Sequence, residues 1–123
     1  MSDIADFLRA RYAERRAIAE AASPGPWQAN DEHDEVIAVD GITVADGFAL
    51  SGRQLRATVD HVAANDPEDV IADIEAKLAV VDLCATLLHD DEGGTDPCAE
   101  GTLRRLAQPF AGHPDHKGEE WAP

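Results

Sequence analysis

Apolar residues near the N-terminus recur every three or four positions. Ile4, Phe7, Leu8, Tyr12 and Ile18 with Ala19 fall on one side of a helical wheel, with Arg11 and Arg15 in the same register. That period predicts a helix over residues 3–22, its orphan amides capped by Ser2 or Asp3. "SPGPW" ends it, because two prolines and a glycine cannot continue a helix. In "EVIAVDGITVADG" the period changes to two, which predicts an antiparallel hairpin over about 35–46. Asp40-Gly41 is placed at its turn as a two-residue loop with both residues at positive φ. Pairing outward from there sets Val39 opposite Ile42 and Ile37 opposite Val44, with Val36, Ala38, Thr43 and Ala45 on the other face. A third strand is expected to start at Trp27, since an isolated hairpin is only marginally stable.

Helical spacing then returns. Leu55, Val59 and Val62 predict a short helix from residue 53 to about 64. "NDPEDVIADIEAKLAVVDLCATLLH" predicts the longest one, with Asp66 as cap, Pro67 in the first position, and Glu68 and Asp69 at the positive end of the dipole. Along it Ile71, Ile74, Leu78, Val81, Ala85 and Leu88 form an apolar seam, fit either for another helix of the chain or for a second copy. "DDEGGTD" reads as a loop. The last helix is expected from 102 to about 108, burying Leu103 and Leu106 and stopped by Pro109, with Trp121 folding back onto the body. The pattern as a whole predicts an α+β fold, a small antiparallel sheet packed with three or four helices. At 123 residues the chain is expected to be a single domain, 1–123.

Composition narrows the function classes. Aromatics make up 5% of the residues against 44% hydrophobic, so aliphatic side chains and alanine must fill the interior. The 25 acids against 10 lysines and arginines give a net charge of −15. Such a field repels phosphate backbones and anionic lipid, so neither a nucleic acid nor a membrane is expected as partner; a basic protein surface is compatible. The basic cluster Arg9, Arg11, Arg15 and Arg16 is expected to pair with the chain's own carboxylates. No apolar run approaches the roughly 18 residues of a membrane helix, and the N-terminal residues do not read as a signal peptide. A cytoplasmic location with reduced thiols follows as the expectation, a Cys84–Cys98 disulfide being the alternative. No Gly-x-Ser-x-Gly or phosphate-binding loop is present, and no catalysis is expected. His61 reads as a core-edge histidine bonded to backbone.

Five segments form an ordered set: "FLRAR", "SPGPW", "HVAANDPEDVIADIEAK", "TLRRLAQPFAGHPD" and "EEWAP". In that order they resemble an uncharacterised family of small acidic proteins from actinobacteria and their phages, carried under a domain-of-unknown-function label. The resemblance covers about half of the chain. It implies a cytosolic accessory protein, often phage- or prophage-borne, and brings no known activity. It also implies a metal: many relatives look as if they bind zinc through a Cys-x-x-Cys pair before the final helix, a cysteine before the "TLR" segment and the histidine of "HPD".

Carried onto this chain, the third cysteine is Cys98 and the histidine is His113. The Cys-x-x-Cys pair has no counterpart, and His116 stands where the relatives usually have tyrosine. Zinc asks for four nitrogen or sulfur ligands, two of them usually from one short segment. Cys84, His89, Cys98 and His113 supply such a set, provided that the long helix ends at about Leu88 and lets His89 turn back. His113 with His116 as the local pair is the variant. Against it stands the plainer reading of buried or surface cysteines and capping histidines. The leading expectation is a non-catalytic protein that binds another protein, either a copy of itself as a homodimer or a basic surface. A small zinc-binding structural domain is the alternative, and an acidic mimic of nucleic acid that inhibits a DNA-binding enzyme is the second alternative.

Overall fold

The structure, a computed structural model, describes residues 3–49, 51–90 and 96–123. It is an α+β fold with one three-stranded antiparallel sheet and four α-helices. The helices are α1 (Asp3–Ala21), α2 (Gly52–Ala63), α3 (Pro67–Asp90) and α4 (Pro97–Ala107); the strands are β1 (Gln28–Ala29), β2 (Glu35–Ile37) and β3 (Thr43–Asp46). The proposed Ser2 cap and most of the "DDEGGTD" loop lie outside the described residues. The chain divides into two compact units, one of Met1–Arg15 with Ile74–Pro123 and one of Arg16–Asp73.

In the unit Arg16–Asp73 the strands run in the order β1-β2-β3. The hairpin forms where expected, with a different turn and register. Gly41 alone takes a positive φ, +84°, while Asp40 does not. The Ala38 amide donates to Ile42 O and the Gly41 amide donates back to Ala38 O, both at 2.9 Å. That is a three-residue loop with glycine in its left-handed position, not a two-residue turn. Ile37 therefore pairs with Thr43 and Val36 with Ala45; a bulge between Val36 and Ile37 absorbs the extra residue, Val44. The inner face carries Val36 and Ala38, both buried, whereas Val39 and Ile42 are exposed. At its far end the sheet sets Glu35 opposite Asp46. A hydrogen bond shared with Asp46, then burial and the neighbouring acids, hold the Glu35 carboxyl above its usual value.

Close approach fixes α2 against the chain leaving β3. A Cβ at Gly47 would fall 2.6 Å from Leu55 Cδ1 and 2.8 Å from Val59 Cγ2, so a larger residue there would have to displace those side chains. Val59 is buried, while His61 on the same helix is exposed and not at a core edge. Asp66 joins two quoted motifs. Its Oδ1 caps α3 by accepting from the Asp69 amide at 2.9 Å, and Oδ2 accepts from the Trp27 amide at 3.2 Å. The carboxylate is itself buried, so these bonds satisfy charge that would otherwise be costly.

In the other unit Ile4, Ala5, Phe7, Leu8 and Tyr12 of α1, Val81 and Cys84 of α3, and Ala99, Leu103 and Ala107 of α4 are buried. Along the whole of α3 the predicted seam lies inside: Ile74, Val81 and Cys84 are buried, and Ile71, Leu78, Ala85 and Leu88 half-buried. α4 starts five residues earlier than the expected 102. Asp96 accepts from the Cys98 and Ala99 amides, each at 3.0 Å, and Pro97 takes the first position. On α1 the expected stripe ends one residue differently: Ala19 is buried and Ile18 is exposed.

Candidate functional site

The closing segment begins as α4 gives way to a 3₁₀ turn at Gln108–Phe110, followed by two tight turns and a second 3₁₀ turn at Gly118–Trp121. The two histidines of "GHPDHKG" do the same local work. His113 Nδ1 accepts from the Asp115 amide at 3.0 Å, and His116 Nδ1 accepts from the Gly118 amide at 2.9 Å. The main chain repeats as well: the His113 amide donates to Phe110 O and the His116 amide to His113 O. A spacing of three is thus the spacing of successive turns, each closed by an imidazole two residues upstream.

Phe7 of α1 is the hub of this region. Around its ring, edge-on, stand Trp121 at 5.0 Å, His113 at 5.6 Å, His116 at 5.8 Å and Phe110 at 6.2 Å between centroids. Arg11 adds its guanidinium at 5.0 Å from the same ring. Although charged, Arg11 is 8% exposed. Its Nη2 donates to Glu14 at 2.8 Å, and its Nη1 donates to His113 Nδ1 at 3.0 Å and lies 3.6 Å from Asp115. Because Nδ1 of His113 accepts from both Arg11 and the Asp115 amide, its ring proton sits on Nε2. Among the described residues Arg11 Nε and His116 Nε2 find no hydrogen-bond partner, a cost that the aromatic packing must offset. At the rim Lys117 donates to Asp3 at 2.8 Å, which holds the Asp3 carboxyl below and the Lys117 ammonium above their ordinary values. Arg104 Nη1 donates to Ala122 O at 3.1 Å and fastens the last residues to α4.

Of the four metal candidates, His113 belongs to this arrangement, while Cys84 and His89 lie on α3 and Cys98 on α4. Cys84 is buried on α3, and burial, with a smaller push from Asp96, raises its thiol away from the thiolate form. His89 is exposed and helical, since α3 runs on through Asp90 and does not end at about Leu88. It lies five positions on from Cys84, about 140° around the helix, which puts the two on different sides. Cys98 is free and exposed in the first turn of α4. His113 has its Nδ1 engaged. Among the described residues no three His, Cys, Asp or Glu side chains gather as a candidate metal site.

Two other surface features stand out. A shallow groove of about 470 Å³ in the unit Arg16–Asp73 is lined by Pro26, Gln28, Asn30, Asp31, Ile37 and Val39, among others. It offers no paired ionisable groups for acid–base work. The second feature is the outer side of α3, opposite the buried seam. Val80, Leu83 and Leu87 are 38%, 60% and 43% exposed at i, i+3 and i+7, with exposed Ala76 and Ala79 beside them. Sequence reading missed this stripe because it chose the other apolar side of the same helix. The signal was present: α3 is apolar on two sides.

The family model for DUF6221, a family of unknown function, matches residues 1–123. The chain belongs to that family. No curated protein and no solved structure matches the chain. Among the described residues no helix is long and apolar enough to cross a membrane.

Proposed function

We propose that this DUF6221 chain is a non-catalytic, cytoplasmic interaction protein that docks another protein on the outer face of α3. The observation that carries the reading is the contiguous stripe Val80, Leu83 and Leu87. Single exposed leucines are ordinary, but three large aliphatic side chains in helical register with alanines between them make a patch. The predicted seam is already covered by the chain's own residues, so the docking face is its opposite. Small residues at 76 and 79 let a partner's backbone approach closely while the larger ones supply apolar area. The resemblance to small acidic proteins of actinobacteria and their phages supports an accessory, phage- or prophage-borne role.

Photo-crosslinking tests the reading. A photoreactive amino acid at position 83, introduced in the cells of origin, is expected to give a discrete protein adduct. The same residue at exposed Ala13, on α1, is the control and should give none. No adduct at 83, or equal labelling at both positions, would remove the docking face.

A further inference from the structure

We infer that the groove on the outer face of the sheet takes an extended segment of a partner protein, with an apolar residue towards one end and a lysine or arginine towards the other. The groove lies wholly in the unit Arg16–Asp73, so the inference is independent of the docking reading for α3. Strand register builds it. Gln28 pairs with Ile37 and Ala29 with Val36, and the Asn30 amide donates to Glu35 O at 3.1 Å. Carried along the strands, that register sets Pro26 opposite Val39 and Asn30 opposite Glu35. Paired residues share a face, so Pro26, Gln28, Ile37 and Val39 stand on the side away from buried Val36 and Ala38. From Pro26 to Asn30 the chain spans about 13 Å, the length of about four extended residues and more than one side chain covers.

The two ends of the groove differ in chemistry. Pro26, Ile37 and Val39 line one end, and Val39 is exposed there although aliphatic. The exposed Gln28 between the ends offers a carboxamide to a partner's main chain. Asp31 lines the other end, and Glu35 with its strand partner Asp46 stands beside Asn30. The charges that bear on Glu35, from Asp46, Asp34 and Glu32, are all negative. Asp34 accepts from Asn30 Nδ2 at 2.6 Å, a neutral donor that leaves the negative charge in place. A cation seated at this end gains its own pairing and relieves the repulsion of like charges set opposite each other on β2 and β3. The stem of a lysine or arginine suits the boundary, since it lays methylenes on apolar surface and carries its charge to the acids. Alternate side chains of an extended segment fall on one face, which lets one apolar residue and one cation enter the groove together.

The probe is the peptide acetyl-Gly-Leu-Thr-Lys-Gly-amide, titrated into the isotope-labelled full chain and followed by nuclear magnetic resonance of the backbone amides. The controls are the same peptide with glutamate in place of lysine, and butylamine. The lysine peptide is expected to shift the amides of residues 27–31 and 37–39, saturating at one peptide per chain. The double variant Asp31→Asn with Glu35→Gln keeps side-chain shape and removes two charges; Val39→Ser removes apolar surface at the other end. Each should weaken binding by about fivefold or more, with the remaining amide signals unmoved as the check on folding. The glutamate peptide should leave the groove signals in place. Equal response to both peptides overturns the inference, and so does lysine-peptide binding that ignores Val39→Ser, which is charge attraction alone. Butylamine binding as tightly as the peptide makes the groove a site for free amines and overturns the extended segment. Shifts gathered on α3 instead would overturn the groove and leave the docking face standing.

Discussion

The C-terminal turns and the outer side of α3 break the inside–outside rule in opposite directions. Around Phe7, polar groups go in: Arg11 is buried, and His113 and His116 are half-buried against aromatic rings. On α3, apolar groups stay out, with Leu83 more exposed than covered. The first departure is answered within the chain, because almost every polar atom there finds a donor, an acceptor or a ring. Among the described residues nothing answers the second. Buried polarity that is satisfied locally argues for architecture, and apolarity left unsatisfied argues for a partner. The histidines that look most like chemistry in the sequence hold turns, and a run of plain aliphatic residues carries the functional proposal.

If the aromatic cluster is architecture, breaking it must cost stability. Trp121→Ala removes a buried indole packed on Phe7 and His116, and is expected to destabilise by about 3–5 kcal/mol in urea or thermal unfolding. A cost below about 1 kcal/mol would mean that the last residues do not hold the body together. Arg11→Met keeps much of the side-chain length and removes the guanidinium from His113, Glu14 and Asp115. About 1–3 kcal/mol should be lost, since His113 and the buried pocket lose a donor that water cannot replace. A neutral result would place the arginine among groups whose burial is as costly as their bonds are favourable.

A smaller effect tests the rim. Lys117 lowers the Asp3 pKa from its ordinary value of 3.8, so the folded state binds that proton less readily than the unfolded state. The pair's contribution is present above pH 3.8 and is lost as pH falls below it, through the depressed folded value. The Lys117 pKa is raised from 10.5, so its share is lost as pH climbs past that value. Lys117→Gln should therefore flatten both limbs of the stability–pH curve slightly, and leave the plateau between them almost unmoved, because the pair is exposed. A large fall on the plateau would contradict the pair's rim position.

Much of this architecture is legible in the chain itself where signals are local. Asp66-Pro67 fixes the start of α3, "SPGPW" the end of α1, and Asp40-Gly41 the place of the hairpin turn. What stayed hidden depends on distant partners or on one extra residue. The bulge that takes up Val44 shifts the register by a step that alternation alone cannot reveal. Gly101 and the short apolar run masked the first turn of α4, though Asp96-Pro97 was the cap signal to follow. His113 and His116 share metal-like spacing because one helical or turn repeat also spans three residues. The apolar period picked out the inward side of α3, Val81 included, but on a helix apolar on both sides it could not reveal that Leu83 stays exposed; packing decides that.

That last choice bears on the proposal that α3 gives one side to the fold and offers the other to a partner. Urea unfolding of Leu83→Gln tests it most directly, because a residue that serves only a partner contributes little to its own chain. The expected result is a free energy of unfolding within about 0.5 kcal/mol of the parent, as for other exposed positions. A loss of about 2 kcal/mol or more, the cost typical of truncating a packed leucine, would show that Leu83 belongs to the core and would contradict the docking face.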